Sequence, residues 1–431
     1  MTDPAATVLA RFCADLRWDK IPAPARYRTQ ELLLDLLGVA VRGSFSDSSV
    51  KVREYVRTQG GGPATVLGSS KSPSLPELPR FGQPLQVRPP AGPRPICASA
   101  AWAALANGTA AHAIEMDDVT TESSLHPGAA VIPAALAVAE ELMTGQEWLG
   151  HETRWPGLRR PTTPDVLAAI VAGYEVTMRA GNALGAASAY QRGFHPTGVA
   201  GVFGAAVAAG KLMHLDAQGL TRAMGIAGTM ASGSLSYLDD GSWTKRLNPG
   251  WAAHAGVVAA GLAFAGFTGP STVFEGPHGL LRGYTDAPDP ERLTEGIGES
   301  EPQVMRVSLK PYGCCRYSHG LIDAVLALGR EHFFLESPAP ISLDEIERIR
   351  LGVLSAGWPL IAEDIQRKRD PRNTVDAQFS APYAAAAALV TGLATLREFD
   401  IGDLDRAAGH VRDARIPALM AKTECYRDPS L

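Results

Sequence analysis

Apolar residues recur at helical spacing through most of the first 270 positions. The spans 4–16, 23–41, 99–116, 130–143, 164–184, 196–213, 216–230 and 249–267 each carry a continuous apolar face. Several begin at proline, which the first helical turn tolerates because its N–H would be unpaired anyway. Strand signals are sparse in this region, and residues 64–67 are the clearest. Such a run of Ala-rich helices predicts a large helical bundle.

The pattern changes after about residue 268. Residues 303–309 (QVMRVSL) and 346–353 (IERIRLGV) alternate like strands, with helices predicted over 319–333 and 377–390. The fold class predicted is therefore mainly α. A helical domain spans 1–267, a smaller α+β domain spans 268–395, and a charged helical segment at 396–431 returns to the first domain. Two stretches, about 71–96 and 146–163, show neither period. The first holds eight of the chain's 32 prolines, between Pro73 and Pro95. Long structureless loops are uncommon inside compact domains, so both are expected to be surface insertions.

Composition narrows the function. The chain has 431 residues with 40 basic and 45 acidic side chains, a net charge of −5. That balance leaves no basic stripe for nucleic acid. With 45% hydrophobic and 20% charged residues the chain is globular, not disordered. Five cysteines without a C-x-x-C motif fit a reducing compartment. The first twelve residues lack the basic and apolar regions of a secretory signal, so a cytoplasmic location is expected. Residues 250–269 carry no formal charge over the ~20 residues a membrane span needs. Their Ala and Gly content and His254 fit a tightly packed buried helix, and no membrane partner is expected.

Four polar clusters interrupt this apolar background. Residues 107–118 (NGTAAHAIEMDD) end an apolar helix with Glu115, Asp117 and Asp118, and His126-Pro127-Gly128 follows. Carboxylates beside an imidazole can shift one another toward general acid–base work, and acidic groups are disfavoured at a helix C-terminus without a reason. A metal site built from His112, Asp117, Asp118 and His126 is the rival, but no recognised zinc spacing is present. Residues 193–198 (GFHPTG) put His195 at a helix start, where free N–H groups favour anions. Lys245 and Arg246 lie in residues 240–250 (DGSWTKRLNPG), a cationic pair suited to a carboxylate or a phosphate. Residues 310–319 (KPYGCCRYSH) gather Lys310, Tyr312, two cysteines, Arg316 and His319. Adjacent cysteines of this kind are more often buried structural groups than nucleophiles.

These four clusters in this order, together with residues 274–279 (FEGPHG) and 376–380 (DAQFS), resemble the MmgE/PrpD family. That family includes 2-methylcitrate dehydratase, cis-aconitate decarboxylase and iminodisuccinate epimerase. The resemblance covers nearly the whole chain apart from the two insertions. It implies a helical domain and an α+β lid domain with the active site between them, in a homodimer. It also implies cofactor-free and metal-free chemistry on a small di- or tricarboxylate. By position, Asp118, His126, His195, Lys245 and Lys310 are the expected catalytic set. Glu115, Arg246, Tyr312 and His319 are the expected substrate-binding set. The decarboxylase-like pattern has Asp where this chain has Glu115, and the loop from Asp118 to His126 is one residue longer here. The expected activity is a lyase, either dehydratase or decarboxylase. The alternatives are an epimerase at a carbon next to a carboxylate, or an impaired homologue, the latter motivated by the insertions and a C-terminus shorter than the family's.

Overall fold

The computed structural model describes residues 3–68, 96–144, 158–333, 342–401 and 413–431. The expected insertions at 71–96 and 146–163 lie mostly outside these residues. The chain divides into two compact units. The first comprises residues 1–113, 117–234 and 245–308, and the second comprises residues 114–116, 235–244 and 309–431.

The first unit is helical. Its helices are α1 (Ala5–Asp15), α2 (Ala23–Gly43), α3 (Asp47–Arg57), α4 (Ala100–His112), α5 (Pro127–Thr144), α6 (Thr163–Leu184), α7 (Ala186–Gln191), α8 (Pro196–Leu212) and α9 (Ala217–Gly228). A short α10 (Tyr237–Asp240) belongs to the second unit, and α11 (Thr244–Phe264) and α12 (Leu280–Tyr284) complete the first. Short antiparallel pairs brace it: β1 (Ala64–Val66) with β2 (Ile96–Ala98), and β3 (Val119–Thr120) with β4 (Val307–Ser308).

Small residues let these helices meet backbone to backbone. A Cβ placed on Gly204 of α8 would sit 2.3 Å from Gly173 O and 1.9 Å from Thr177 Oγ1 of α6. One placed on Gly250 of α11 would sit 2.5 Å from Leu105 O of α4. At that separation the dispersion contacts are numerous and no larger residue fits. Helix α5 is long and apolar enough to cross a membrane by length and composition, and 78% of it is buried inside the structure. The uncharged run at 250–269 falls mostly in α11, which packs through its glycines.

In the second unit α17 (Ala381–Thr391) is buried along most of its length, with α13 (His319–Leu328) and α19 (Arg415–Ala421) packed on it. Short helices α14 (Trp358–Ile361), α15 (Ile365–Lys368), α16 (Thr374–Gln378) and α18 (Leu396–Phe399) surround them. A parallel pair, β5 (Ile349–Val353) and β6 (Thr423–Arg427), aligns Ile349 with Thr423.

The elements depart from expectation at several places. Gln303–Arg306 is a 3₁₀ turn and only Val307–Ser308 is strand, because Glu175 Oε1 of α6 accepts the Gln303 N–H at 2.7 Å before a ladder can start. The change of unit falls at 308/309 and not near 268. Asp289 N donates to Ala183 O and Arg179 Nη1 to Glu295 O, which ties this stretch to α6. Residues 415–431 stay in the second unit, where Thr423–Arg427 forms β6 instead of continuing a helix. Its β-branched and aromatic residues, Thr423 and Tyr426, favour that state.

Candidate active site

The polar centre of the first unit is built on three helix ends. Helix α4 stops at His112, whose imidazole is fully buried. The next residues turn sharply, with Glu115 in the left-handed region at φ 57°, and bring Asp117 back under the helix. Asp117 Oδ2 lies 2.6 Å from His112 Nδ1. On the other side of the ring, Lys245 Nζ lies 2.9 Å from His112 Nε2. An ammonium only donates, so Nε2 accepts and the ring proton sits on Nδ1, donated to Asp117.

Lys245 reaches His112 because α11 starts at Thr244, five residues before the expected start at Pro249. Proline inside a helix removes one backbone hydrogen bond. The helix nevertheless continues through it, and Lys245 becomes a first-turn residue.

The other two imidazoles occupy equivalent positions. His126 immediately precedes α5 and His195 immediately precedes α8, and each helix opens with proline. His126 Nδ1 lies 3.3 Å from Asp117 Oδ2, and its ring packs edge-on against His112 with centroids 4.8 Å apart. The His195 ring centroid is 5.7 Å from that of His112. Asn248 Nδ2, on α11, lies 3.2 Å from His195 Nδ1. With Asn248 donating there, a neutral His195 carries its proton on Nε2. Three imidazoles, one carboxylate and one ammonium thus form a buried cluster with complementary donors and acceptors.

Asp118 faces elsewhere. Its Oδ2 accepts from Tyr174 Oη of α6 at 2.6 Å, and its Oδ1 accepts from the Gly128 N–H of α5 at 3.0 Å. Burial, helped by the carboxylates of Asp117 and Asp35, raises its carboxyl to about 7 against the opposing pull of the Tyr174 and Gly128 hydrogen bonds. Arg246 is buried, with Nη1 3.3 Å from Ser48 Oγ.

The second unit holds its own pair. Lys310 Nζ and Glu115 Oε2 are 3.4 Å apart and both side chains are buried. His319 Nε2 lies 3.3 Å from Cys314 O, and its ring meets Tyr312 edge-on. Burial and the nearby Lys310 charge hold His319 down at about 3, so the ring is neutral. Tyr312 Oη donates to Asp323. Cys314 and Cys315 are both buried, and burial pushes the Cys314 thiol far up, which suits a structural role and not a nucleophile.

The structure therefore brings His126, His195 and Lys245 together, holds Asp118 on Tyr174 and Gly128, and sets Arg246 beside Ser48 in the same unit. Glu115, Lys310, Tyr312 and His319 lie in the second unit. The sequence offers Asp117 as one of three carboxylates for acid–base work and His112 only as a possible metal ligand, and the expected catalytic set contains neither, although both are central. Tyr174 and Asn248 gave no local signal, since one sits in an apolar helix and the other beside a proline. His112, Asp117 and His126 offer ligand atoms within 4.8 Å of one another, a spacing that can hold a metal ion. Both ring nitrogens of His112 already have partners, so an ion bound through this ring would displace Lys245 or Asp117 from it.

Comparison with known proteins places this geometry in context. The chain is 29% identical to the cis-aconitate decarboxylase-like protein oryM of Aspergillus oryzae, over 98% of this chain and 80% of that protein. It is 28% identical to a cis-aconitate decarboxylase of Aspergillus terreus, over 91% of this chain and 74% of that one. For the Mus musculus cis-aconitate decarboxylase the figures are 27%, 88% and 68%. Residues 83–293 match the MmgE/PrpD N-terminal domain and residues 312–431 match the MmgE/PrpD C-terminal domain, and the chain belongs to the MmgE/PrpD family.

Proposed function

We propose that this protein is a lyase acting on a small di- or tricarboxylate, with decarboxylation of cis-aconitate as the first reaction to test. The observation that carries the reading is the Lys245–His112–Asp117–His126 chain, with contacts of 2.9, 2.6 and 3.3 Å in a buried setting. The similarity to cis-aconitate decarboxylases supports it.

Loss of CO₂ from a carboxylate placed β,γ to a double bond is an electron-pair shift. The C–COO⁻ bond breaks and its pair forms a new C=C bond. The old π pair then takes a proton at the far carbon. The catalyst must deliver that one proton and hold the substrate's remaining negative charge. We assign the proton delivery to His126, whose positive charge Asp117 stabilises while it carries the second proton. His195, with its proton on Nε2, is the assisting donor. Lys245 and the N-terminal turns of α5 and α8 supply the positive potential that a polycarboxylate requires. The step balances with protein groups and water alone, since solvent returns one proton for each CO₂ released.

The test is a panel of small di- and tricarboxylates followed by proton NMR in D₂O. Loss of cis-aconitate with one deuterium in the product is the expected result. Deuterium exchange without loss of substrate identifies an epimerase instead. If no acid on the panel is consumed or exchanged, the reading fails. His126→Ala retaining wild-type turnover would remove the assigned proton donor.

A further inference from the structure

Helix α5 begins in an unusual way. The residue before its first turn is His126, and a helix normally places Ser, Thr, Asp or Asn there so that the side chain caps the first free N–H groups. His126 is turned toward Asp117 and His112. The Gly128 N–H of the first turn is met by Asp118 Oδ1, ten residues upstream. Asp118 is held in turn by Tyr174 Oη from the middle of α6. The His126 N–H is taken up by Thr197 Oγ1 of α8 at 3.1 Å.

A second observation points the same way. A Cβ on Gly128 would lie 2.6 Å from Tyr174 Oη and 2.8 Å from Asp118 Oδ1. The hydroxyl and carboxylate press against the helix start so closely that only glycine fits. Asp118 directly follows Asp117 in the chain, and Gly128 lies two residues after His126. A clamp that fixes Asp118 to Gly128 therefore fixes both sides of the Asp117–His126 contact.

We infer that Tyr174 and Asp118 are positioning residues: they cap α5 from outside so that the His126 imidazole is held against Asp117. This rests on the acid–base reading of His126 given above. Positioning errors of the order of 1 Å cost about 10²-fold in rate.

Three variants test the clamp: Tyr174→Phe, Asp118→Asn and Asp118→Ala. Two readouts are used, kcat and KM on the substrate that the panel identifies, and amide exchange of the segment 126–134 by mass spectrometry without substrate. Asn keeps an acceptor oxygen for Gly128 and an amide for Tyr174, so Asp118→Asn is expected to stay within about tenfold of wild type. Asp118→Ala is expected to lose roughly 10²-fold in kcat, and Tyr174→Phe about tenfold, both with KM within about threefold. Exchange at the start of α5 should speed up by roughly fivefold in Asp118→Ala. Asp118→Asn falling to the level of Asp118→Ala overturns the inference, because Asp118 would then be moving a proton itself. So does Tyr174→Phe at wild-type kcat. If the panel yields no turnover the lyase reading fails on its own, and the exchange arm still decides: unchanged exchange in Asp118→Ala refutes the clamp.

Discussion

Lys245 Nζ and His112 Nε2 stand 2.9 Å apart although 133 residues separate them in the chain. The contact sets the tautomer of His112 and passes a positive charge into a buried group that also touches Asp117. Lys245→Met should leave His112 Nε2 without its donor. On the proposed chemistry kcat should fall on the order of 10²–10³-fold, the usual loss when one preorganised donor is removed. Lys245→Arg should not restore it, because a planar guanidinium does not replace a point donor in a buried slot. Steady-state kinetics on the identified substrate decides this, and wild-type kcat in Lys245→Met would exclude the relay.

The same contact depends on two glycines. Gly108 of α4 and Gly250 of α11 meet, with the Gly108 Cβ direction ending 2.8 Å from Gly250 Cα. A Cβ on Gly250 would fall 2.3 Å from Thr109 Oγ1 and 2.5 Å from Leu105 O. Gly250→Ala must push α4 and α11 apart close to the residues that carry His112 and Lys245. Overpacking of this kind costs about 1–3 kcal/mol. We expect a lower denaturation midpoint and a kcat drop of roughly tenfold or more, since small displacements of catalytic groups are expensive. Gly38→Ala is the control, because a Cβ there meets nothing within 4 Å. Equal behaviour of the two variants would refute the argument.

Much of the helical framework is legible in the sequence because apolar spacing and proline starts mark it locally. The start of α11 is not, since Pro249 reads as a first-turn residue and the structure instead tolerates it inside the helix. The 3₁₀ turn at Gln303–Arg306 is hidden for a related reason: its alternating residues look like strand until Glu175, 128 residues away, takes the Gln303 N–H. The candidate site follows the same rule. His126 and His195 stand out because each precedes a proline at a helix start. The partner of Asp118 does not, because Tyr174 lies in a helix that reads as uniformly apolar. Contacts between distant segments decide which of several adjacent carboxylates faces an imidazole, and the local pattern carries no such information.

In the second unit, Glu115 and Lys310 form a buried ion pair at 3.4 Å. Removing one partner strands the other charge away from water, at a cost of about 3–5 kcal/mol. Glu115→Gln should therefore lower the denaturation midpoint strongly. Replacing both, as Glu115→Gln with Lys310→Met, should cost less than the sum of the single changes, because no unpaired charge remains. A double-mutant cycle by chemical denaturation measures the coupling. Strict additivity would show that the pair contributes nothing beyond its separate residues.

His319 contributes to the acid dependence of this unit. Its ring is buried, Nε2 meets Cys314 O, and burial with the Lys310 charge lowers it from 6.5 to about 3. The folded form therefore refuses a proton that the unfolded chain accepts below about 6.5. The unfolded state binds more protons as the pH falls, so stability is full above about 6.5 and declines below it. The slope from this group is at most about 1.4 kcal/mol per pH unit, and it continues down to about 3. His319→Gln keeps a side-chain N–H for Cys314 O and removes the titration. Between pH 6.5 and 4, its denaturation midpoint should fall less steeply than that of the wild type. Parallel curves for the two proteins would mean that His319 does not govern the acid limb.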